Sequence, residues 1–195
     1  MRVRYSGFRT PGVNMTPIWV IMALNLLFYI ATVIQRNLII STFGLTPMEL
    51  NNEPWTFITN MFVHAGLWHF LGNMLMLYFF GSYLLGLVGE AKFLLVYFGG
   101  GLLANGAFML LGSDFATVVG ASGAVYAIMG AMAVMRPRLK VYLWFLIPID
   151  LWIVVIVGML IISPSIAWQA HLGGLALGVA AGLYFRKKER GRLWR

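Results

Sequence analysis

The sequence predicts an all-α polytopic membrane protein, and three observations lead to that class. Of its 195 residues, 61% are hydrophobic and only 10% are charged, and the mean hydropathy is +0.84. Soluble domains carry about 25% charged residues. Apolar runs recur along the chain, and several approach the roughly 20 residues that a helix needs to cross a bilayer. The chain has no cysteine, which excludes disulfide frameworks, thiolate chemistry and zinc–thiolate sites.

Six apolar runs predict six transmembrane helices within a membrane domain at residues 17–185. A short cytoplasmic segment at 1–16 precedes this domain, and a basic cytoplasmic tail at 186–195 follows it. We interpret the first run as a retained helix, because it is long for a signal peptide, lacks a small-x-small cleavage site and precedes further spans. The predicted spans cover about 17–34, 64–86, 93–111, 119–135, 148–162 and 167–185.

Two connections need their own interpretation. The long first loop, Arg36–Val63, contains too many apolar residues for a freely solvated loop, so we expect an interfacial segment. In the fifth run, a helix that begins near Pro148 would place Asp150 in its positive first turn. Residues 141–147 then approach this helix along the interface.

The net charge of +8 is explained by orientation in the membrane. With a cytoplasmic N-terminus, all of the 14 basic residues except Arg36 fall in inside segments, as the positive-inside rule requires. We therefore expect a multi-pass protein of the cell membrane with both termini in the cytoplasm. The lipid bilayer, with its anionic headgroups, is the partner of these basic residues, and no nucleic acid is expected.

The ionisable residues of three predicted spans lie at one depth. Spans two, four and six all run from outside to inside, and His64, His69, Ser122 and His171 lie near their starts. At ~1.5 Å per residue, the last three fall about 5–10 Å below the outer surface. Every histidine of the chain and one glycine-flanked serine are therefore predicted to meet near the outer face.

These residue types favour nucleophilic catalysis. Ser122 follows Gly120 among small residues, and no Asp or Glu lies at this depth to complete a triad. His171 shares a helical face with Gly174 and Gly178, which lets a neighbouring helix approach the imidazole closely. A dyad in which His171 takes the proton from Ser122, and Ser122 attacks a carbonyl, is the simplest chemistry of this set.

Further polar residues surround this pair. His69 and Asn73 lie one helical turn apart and offer hydrogen-bond donors on one face, as an oxyanion site requires. Tyr126 lies one turn after Ser122, where it can pack near the same site. Each feature also has a structural interpretation: Ser122 as a small packing residue, His64 as an interfacial residue, and His69 with Asn73 as an interhelical hydrogen bond. No cofactor and no metal are expected.

These residues resemble the rhomboid family of intramembrane serine proteases. The resemblance covers about residues 54–182 and lies in PWT at 54–56 with His64, LWHFLGNM at 67–74, GASGA at 120–124, and AHLGG at 170–174 with Gly178. One departure is at residues 81–85, where many bacterial members carry an acidic residue. The departure puts a structural ion pair in doubt and leaves the chemistry intact.

The resemblance implies a six-helix rhomboid bundle whose short fourth helix lies centrally, beneath a water-filled cavity that opens to the outside. It implies Ser122 as nucleophile and His171 as general base. His69, Asn73 and the Ser122 N–H would form the oxyanion site, and Tyr126 would pack against His171. The implied substrates are transmembrane proteins, cut near the outer face. We expect the first loop and span five to move, because neither shows strong polar ties to the core.

Three alternatives remain open. A non-catalytic rhomboid-like protein would bind membrane proteins without cutting them, and loss of Ser122 or His171 would be expected of it. A histidine-based transporter would need ionisable residues along a path through the bilayer. A haem-binding bundle would use a histidine pair such as His69 and His171.

Overall fold

The computed structural model describes residues 13–143, 146–162 and 167–193, most of which are helical. The predicted segment at 1–16 and the predicted tail at 186–195 therefore lie partly outside the described residues. The helices are α1 (Thr16–Ile34), α2 (Arg36–Phe43), α3 (Thr56–Thr59), α4 (Leu67–Val88), α5 (Glu90–Leu111), α6 (Ser122–Met135), α7 (Leu151–Ile162) and α8 (Trp168–Leu193). Shorter elements are 3₁₀ turns at Pro47–Glu49 and Asn60–Phe62, a π-helical segment of α4 at Leu77–Gly81, and the antiparallel strands β1 (Lys140–Leu143) and β2 (Ile147–Asp150).

Three of the described helices, α1, α4 and α5, are long and apolar enough to cross a membrane. They correspond to the first three predicted spans, so the prediction of a mostly helical membrane protein is confirmed. The later predicted spans correspond to α6, α7 and α8, of which α6 is a shorter apolar helix of 14 residues. The count of six spans remains a prediction.

Helix α6 forms the centre of the bundle, because most of its residues are buried from end to end. Glycines on its neighbours make this possible. A Cβ at Gly100 of α5 would lie 2.2 Å from the Ala127 Cβ, and one at Gly178 of α8 would lie 2.1 Å from the Ala127 carbonyl oxygen. Since both glycines lack that atom, α5 packs closely on the Ala127 methyl group and α8 packs on the backbone of α6.

The first loop is fixed to the bundle, so the expectation that it lacks polar ties is wrong. Leu45 and Val118 form an antiparallel bridge with hydrogen bonds in both directions, which joins this loop to the segment before α6. The side chain of Arg36 donates to the carbonyl oxygen of Ala65. The side-chain amide of Asn105, in α5, donates to the carbonyl oxygen of Phe57 in this loop at 2.7 Å.

Besides that of α5, which begins at Glu90 instead of 93, three predicted helix starts are wrong. Helix α4 begins at Leu67 instead of 64, because Gly66 is fully extended. Helix α6 begins at Ser122 instead of 119, because Val118 pairs with Leu45 and Gly120 has a φ of 125°. A residue in a bridge or in the left-handed region cannot belong to a right-handed helix.

The third wrong start is that of α7, which begins at Leu151 and not near Pro148. Pro148 lies in β2, opposite Tyr142 of β1. The described residues that precede α7, predicted as an interfacial approach, therefore form two paired antiparallel strands. Asp150 pairs with Lys140, with the Nζ and Oδ1 atoms 2.6 Å apart. Its carboxylate therefore has a cationic partner across the hairpin, which the sequence did not predict, and it directly precedes the first residue of α7.

Candidate active site

A hydrogen bond joins the two residues that the sequence singled out for acid–base chemistry. Ser122 is the first residue of α6, and His171 lies one turn into α8. The Nε2 atom of His171 is 2.8 Å from the Oγ atom of Ser122. When Nε2 is unprotonated, the hydroxyl donates to it, which is the arrangement that general-base activation of a serine requires.

Close packing of α6 and α8 sets this distance. A Cβ at Gly174, three residues after His171, would lie 2.0 Å from the carbonyl oxygen of Gly123. The close helix approach predicted from the glycine face of Gly174 and Gly178 is therefore present. Any larger residue at Gly174 would separate the two helices and with them Ser122 from His171.

Tyr126 stacks on the imidazole of His171, with ring centroids 4.5 Å apart and an interplanar angle of 23°. Both side chains are buried. Since Tyr126 lies one turn after Ser122 on α6, the same helix supplies the hydroxyl and the surface against which the imidazole rests. The stacked ring restricts the rotation of His171 and keeps Nε2 towards Ser122.

The proposed oxyanion donors lie beside the serine. A Cβ at Gly120 would be 2.7 Å from the Nε2 atom of His69 and 3.8 Å from the Oγ atom of Ser122. The Nδ2 atom of Asn73 donates to the carbonyl oxygen of His69 at 2.8 Å. Because a side-chain amide nitrogen carries two hydrogens, this bond leaves one for a ligand.

A cavity of about 250 Å³ connects these groups, and it is open on one side. Most of its lining is apolar, with the polar groups gathered at one place. A larger apolar groove of about 620 Å³ between α1 and α4 has no serine, histidine or carboxylate among its lining residues. The residues that matter for the smaller cavity are Trp68, His69 and Asn73 of α4, Ser122 and Tyr126 of α6, Val154 and Gly158 of α7, and His171 of α8.

His64 does not line this cavity but lies behind His69. Its ring is fully buried, 5.0 Å from the His69 ring, and its Nδ1 is 3.2 Å from the carbonyl oxygen of Phe62. Burial is the larger cause and the neighbouring His69 the smaller one, and together they lower the pKa of His64 to about 3. The ring is therefore neutral near pH 7. A neutral ring that donates through Nδ1 supports His69 by packing.

The sequence interpretation missed two asparagines near the site. Asn60, in the turn after α3, and Asn105, in α5, form a reciprocal pair of side-chain hydrogen bonds. The backbone carbonyl of Asn60 accepts the N–H of Gly120 at 2.8 Å. The available signal was Asn105 itself, a lone amide within an apolar run where an unpaired polar group is costly.

The fold and the site define a helical membrane protein in which a buried histidine and a serine border one cavity. The family model of the Rhomboid domain matches residues 51–188. This chain therefore belongs to the rhomboid family.

Relatives from distant organisms agree with this assignment. The rhomboid-family protein YdcA of Bacillus subtilis (strain 168) is 35% identical over 147 residues, which cover 72% of this chain and 72% of YdcA. Rhomboid-like protease 3 of Toxoplasma gondii is 28% identical over 192 residues, or 91% of this chain and 73% of the relative. The mitochondrial RHOMBOID-like protein 12 of Arabidopsis thaliana is 31% identical over 157 residues, or 68% of this chain and 46% of that protein.

Proposed function

We propose that this protein is an intramembrane serine endopeptidase with a Ser122–His171 dyad. It hydrolyses peptide bonds in or near transmembrane segments of membrane proteins, close to the outer face of the cell membrane. The observation that carries the proposal is the 2.8 Å contact between the His171 Nε2 and Ser122 Oγ atoms beside an open cavity. Membership of a family that includes proteins named as proteases supports it.

The chemistry follows from these positions. His171 Nε2 takes the Ser122 hydroxyl proton as Oγ attacks the carbonyl carbon of the scissile bond. The carbonyl oxygen becomes negative and accepts hydrogen bonds from the Ser122 N–H, His69 and Asn73. His171 then returns the proton to the leaving amide nitrogen, and the peptide bond breaks. A water molecule that His171 deprotonates releases the acyl group from Ser122 and regenerates both side chains.

The surroundings of the dyad determine which substrates fit. A transmembrane helix has its carbonyl groups hydrogen-bonded internally, so it must unwind locally before a serine can attack. The cavity offers polar groups beside an apolar wall that includes Val154 and Gly158 of α7. An unwound segment of a membrane protein can form hydrogen bonds with the polar groups and pack its side chains against the apolar wall. This arrangement fits a substrate that enters from the bilayer.

The site also bears on the alternatives. A non-catalytic binder has no need for a serine hydroxyl in line with an imidazole, and both Ser122 and His171 are present and joined. For a transporter, the ionisable groups would continue across the bilayer, whereas His69 and His171 lie on the same side of the bundle as Ser122. A haem site would need His171 Nε2, which here faces Ser122.

Labelling with a fluorophosphonate probe tests the proposal. We expect a covalent adduct on Ser122 in the wild type and none in Ser122→Ala or His171→Ala, with all three proteins inserted and folded. The same variants should fail to cleave a model transmembrane substrate in proteoliposomes. Cleavage by Ser122→Ala at the wild-type rate, or labelling that does not depend on His171, would contradict the dyad.

A further inference from the structure

We infer that Asn60 and Asn105 are positioning residues for Ser122: their side-chain pair fixes the backbone segment that leads into the nucleophile. This inference rests on the proposed function. It concerns residues that are not among those lining the cavity, and it assigns a task to the first loop.

The pair closes its own hydrogen bonds. Asn60 Nδ2 donates to Asn105 Oδ1 at 2.9 Å, and Asn105 Nδ2 donates to Asn60 Oδ1 at the same distance. The second hydrogen of Asn105 Nδ2 goes to the carbonyl oxygen of Phe57 at 2.7 Å. Both side chains are almost completely buried, with 1% and 3% of their surface exposed. Water therefore cannot substitute for either partner.

A second contact fixes the same turn to α5. Met61 follows Asn60, and Gly101 lies one helical turn before Asn105. A Cβ at Gly101 would lie 2.1 Å from the Met61 Cε atom, so the absence of that side chain makes room for Met61. Consecutive residues of the turn therefore contact consecutive turns of α5, one by amide pairing and the other by packing.

This 3₁₀ turn also holds the backbone segment that precedes Ser122. The carbonyl oxygen of Asn60 accepts the N–H of Gly120 at 2.8 Å. Gly120 has a φ of 125° and lies against the His69 ring, two residues before Ser122. Because the side chain of Asn60 is held by Asn105, its carbonyl is a rigid acceptor. The peptide of Gly120 is thereby oriented, and the Ser122 N–H with it.

Catalysis is sensitive to such placement, since a shift of ~1 Å can lower a rate about 100-fold. Removing one amide of the pair leaves its partner buried without a hydrogen bond, which destabilises the turn. Replacing both asparagines by leucine leaves no unpaired side-chain amide, although the Phe57 carbonyl loses its donor, and it does not restore the rigid acceptor. The single and double variants therefore separate stability from positioning.

The experiment uses the full chain in proteoliposomes. The variants are Asn60→Ala, Asn105→Ala and the double variant Asn60→Leu/Asn105→Leu, with Asn25→Ala as the matched control. Asn25 is equally buried, but its amide nitrogen donates within α1, to Ile21, and it lies outside this network. Three quantities are measured: the rate of fluorophosphonate labelling, kcat and KM for a transmembrane peptide, and hydrogen exchange of the Gly120 amide.

We expect kcat and the labelling rate of all three network variants to fall by about 10- to 100-fold, with KM changed less than about twofold. Gly120 should exchange faster in each of them and not in Asn25→Ala. In the double variant, the unfolding temperature should recover towards wild type while the rate stays low. That combination is not expected of residues that only stabilise the fold.

Two results would overturn the inference. One is unchanged exchange of the Gly120 amide in the network variants. The other is a fall in kcat no larger than that of Asn25→Ala at equal stability. Failure of the proposed function looks different: the wild type itself would neither label nor cleave, and Gly120 exchange in the same variants would still test whether the pair holds this backbone.

Discussion

Gly174 lies directly against Gly123, the residue that follows Ser122. A Cβ at position 174 would come within 2.0 Å of the Gly123 carbonyl oxygen, closer than atoms can approach without movement of the backbone. The contact joins the two helices that carry Ser122 and His171 at the level of the dyad. The distance between these two helices therefore determines the distance between Ser122 and His171.

Gly174→Ala should consequently remove activity and lower stability together. The added methyl group forces α8 away from α6, which costs about 1–3 kcal/mol of folding free energy, as is usual for overpacking. It also lengthens the 2.8 Å contact between His171 and Ser122. Thermal unfolding and probe labelling measure the two effects.

The matched control is Gly106→Ala, because a Cβ at Gly106 has no atom within 4 Å. The same substitution there should leave labelling unchanged and should not reduce stability, since alanine is the better helix former. Equal behaviour of the Gly106 and Gly174 variants would show that the contact between α6 and α8 does not set the dyad.

Asn73→Ala should slow cleavage less than removal of Ser122 or His171. One oxyanion donor contributes about 3–4 kcal/mol at most, or 10²- to 10³-fold in kcat. Asn73 also donates to the His69 carbonyl, so part of the effect comes through the placement of that neighbour. The measurement is kcat at saturating substrate, with Asn73→Asp as the variant that keeps the shape and loses the donor. Activity at the wild-type level in both variants would remove Asn73 from the oxyanion site.

His64 should make the protein less stable in acid. Its pKa is about 3 in the folded protein and near its ordinary value of 6.5 when unfolded, so between these values the unfolded chain binds more protons. Stability is therefore full above pH 6.5 and falls as the pH is lowered towards 3. Apparent unfolding temperatures across this window, in wild type and in His64→Leu, isolate the contribution.

The wild-type curve should be steeper than the curve of His64→Leu, by up to about 1.4 kcal/mol per pH unit. The substitution also removes the bond to Phe62, and that loss does not vary with pH, so the comparison concerns slopes and not absolute values. Parallel curves would mean that His64 keeps an ordinary pKa in the folded protein.

Asp150 and Lys140 should show coupled effects on stability. Their contact joins two partly exposed side chains across the hairpin, with 27% and 47% of the side-chain surface accessible. Such pairs contribute up to about 1 kcal/mol. A double-mutant cycle with Asp150→Asn and Lys140→Met measures the coupling. If Asp150 acted on the helix terminus instead, as its sequence position first indicates, its effect would persist unchanged in Lys140→Met.

The sequence predicts helices where apolar runs are long and uninterrupted. The first span was expected at 17–34, and α1 covers Thr16–Ile34. The prediction from apolar runs is wrong where the conformation of a single residue determines where a helix begins. Gly66 and Gly120 delay the starts of α4 and α6, and hydropathy cannot show this because glycine is compatible with both conformations. Pro148 suits a helix start and an edge strand equally, and here the pairing with Tyr142 decides.

The site follows the same division. Ser122, His69 and His171 could be grouped from the sequence because they share one depth, which one-dimensional counting reveals. The pairing of Asn60 with Asn105 could not, because 45 positions separate them and neither lies in a periodic pattern that points at the other. Other polar ties of the first loop, such as Asn105 to Phe57, end on backbone carbonyls, which every residue type supplies.

Position 120 has a consequence for how the chain can vary. Its φ of 125° disfavours every L-amino acid with a side chain, and the first carbon of any side chain would meet the His69 ring at 2.6 Å. A library of substitutions at Gly120 should therefore return glycine alone. Relief would require a smaller residue at 69 as well, and that second change discards a proposed oxyanion donor. No single substitution at position 120 is therefore expected to keep the protein functional. The geometry of the site restricts which residues can occupy this position during evolution.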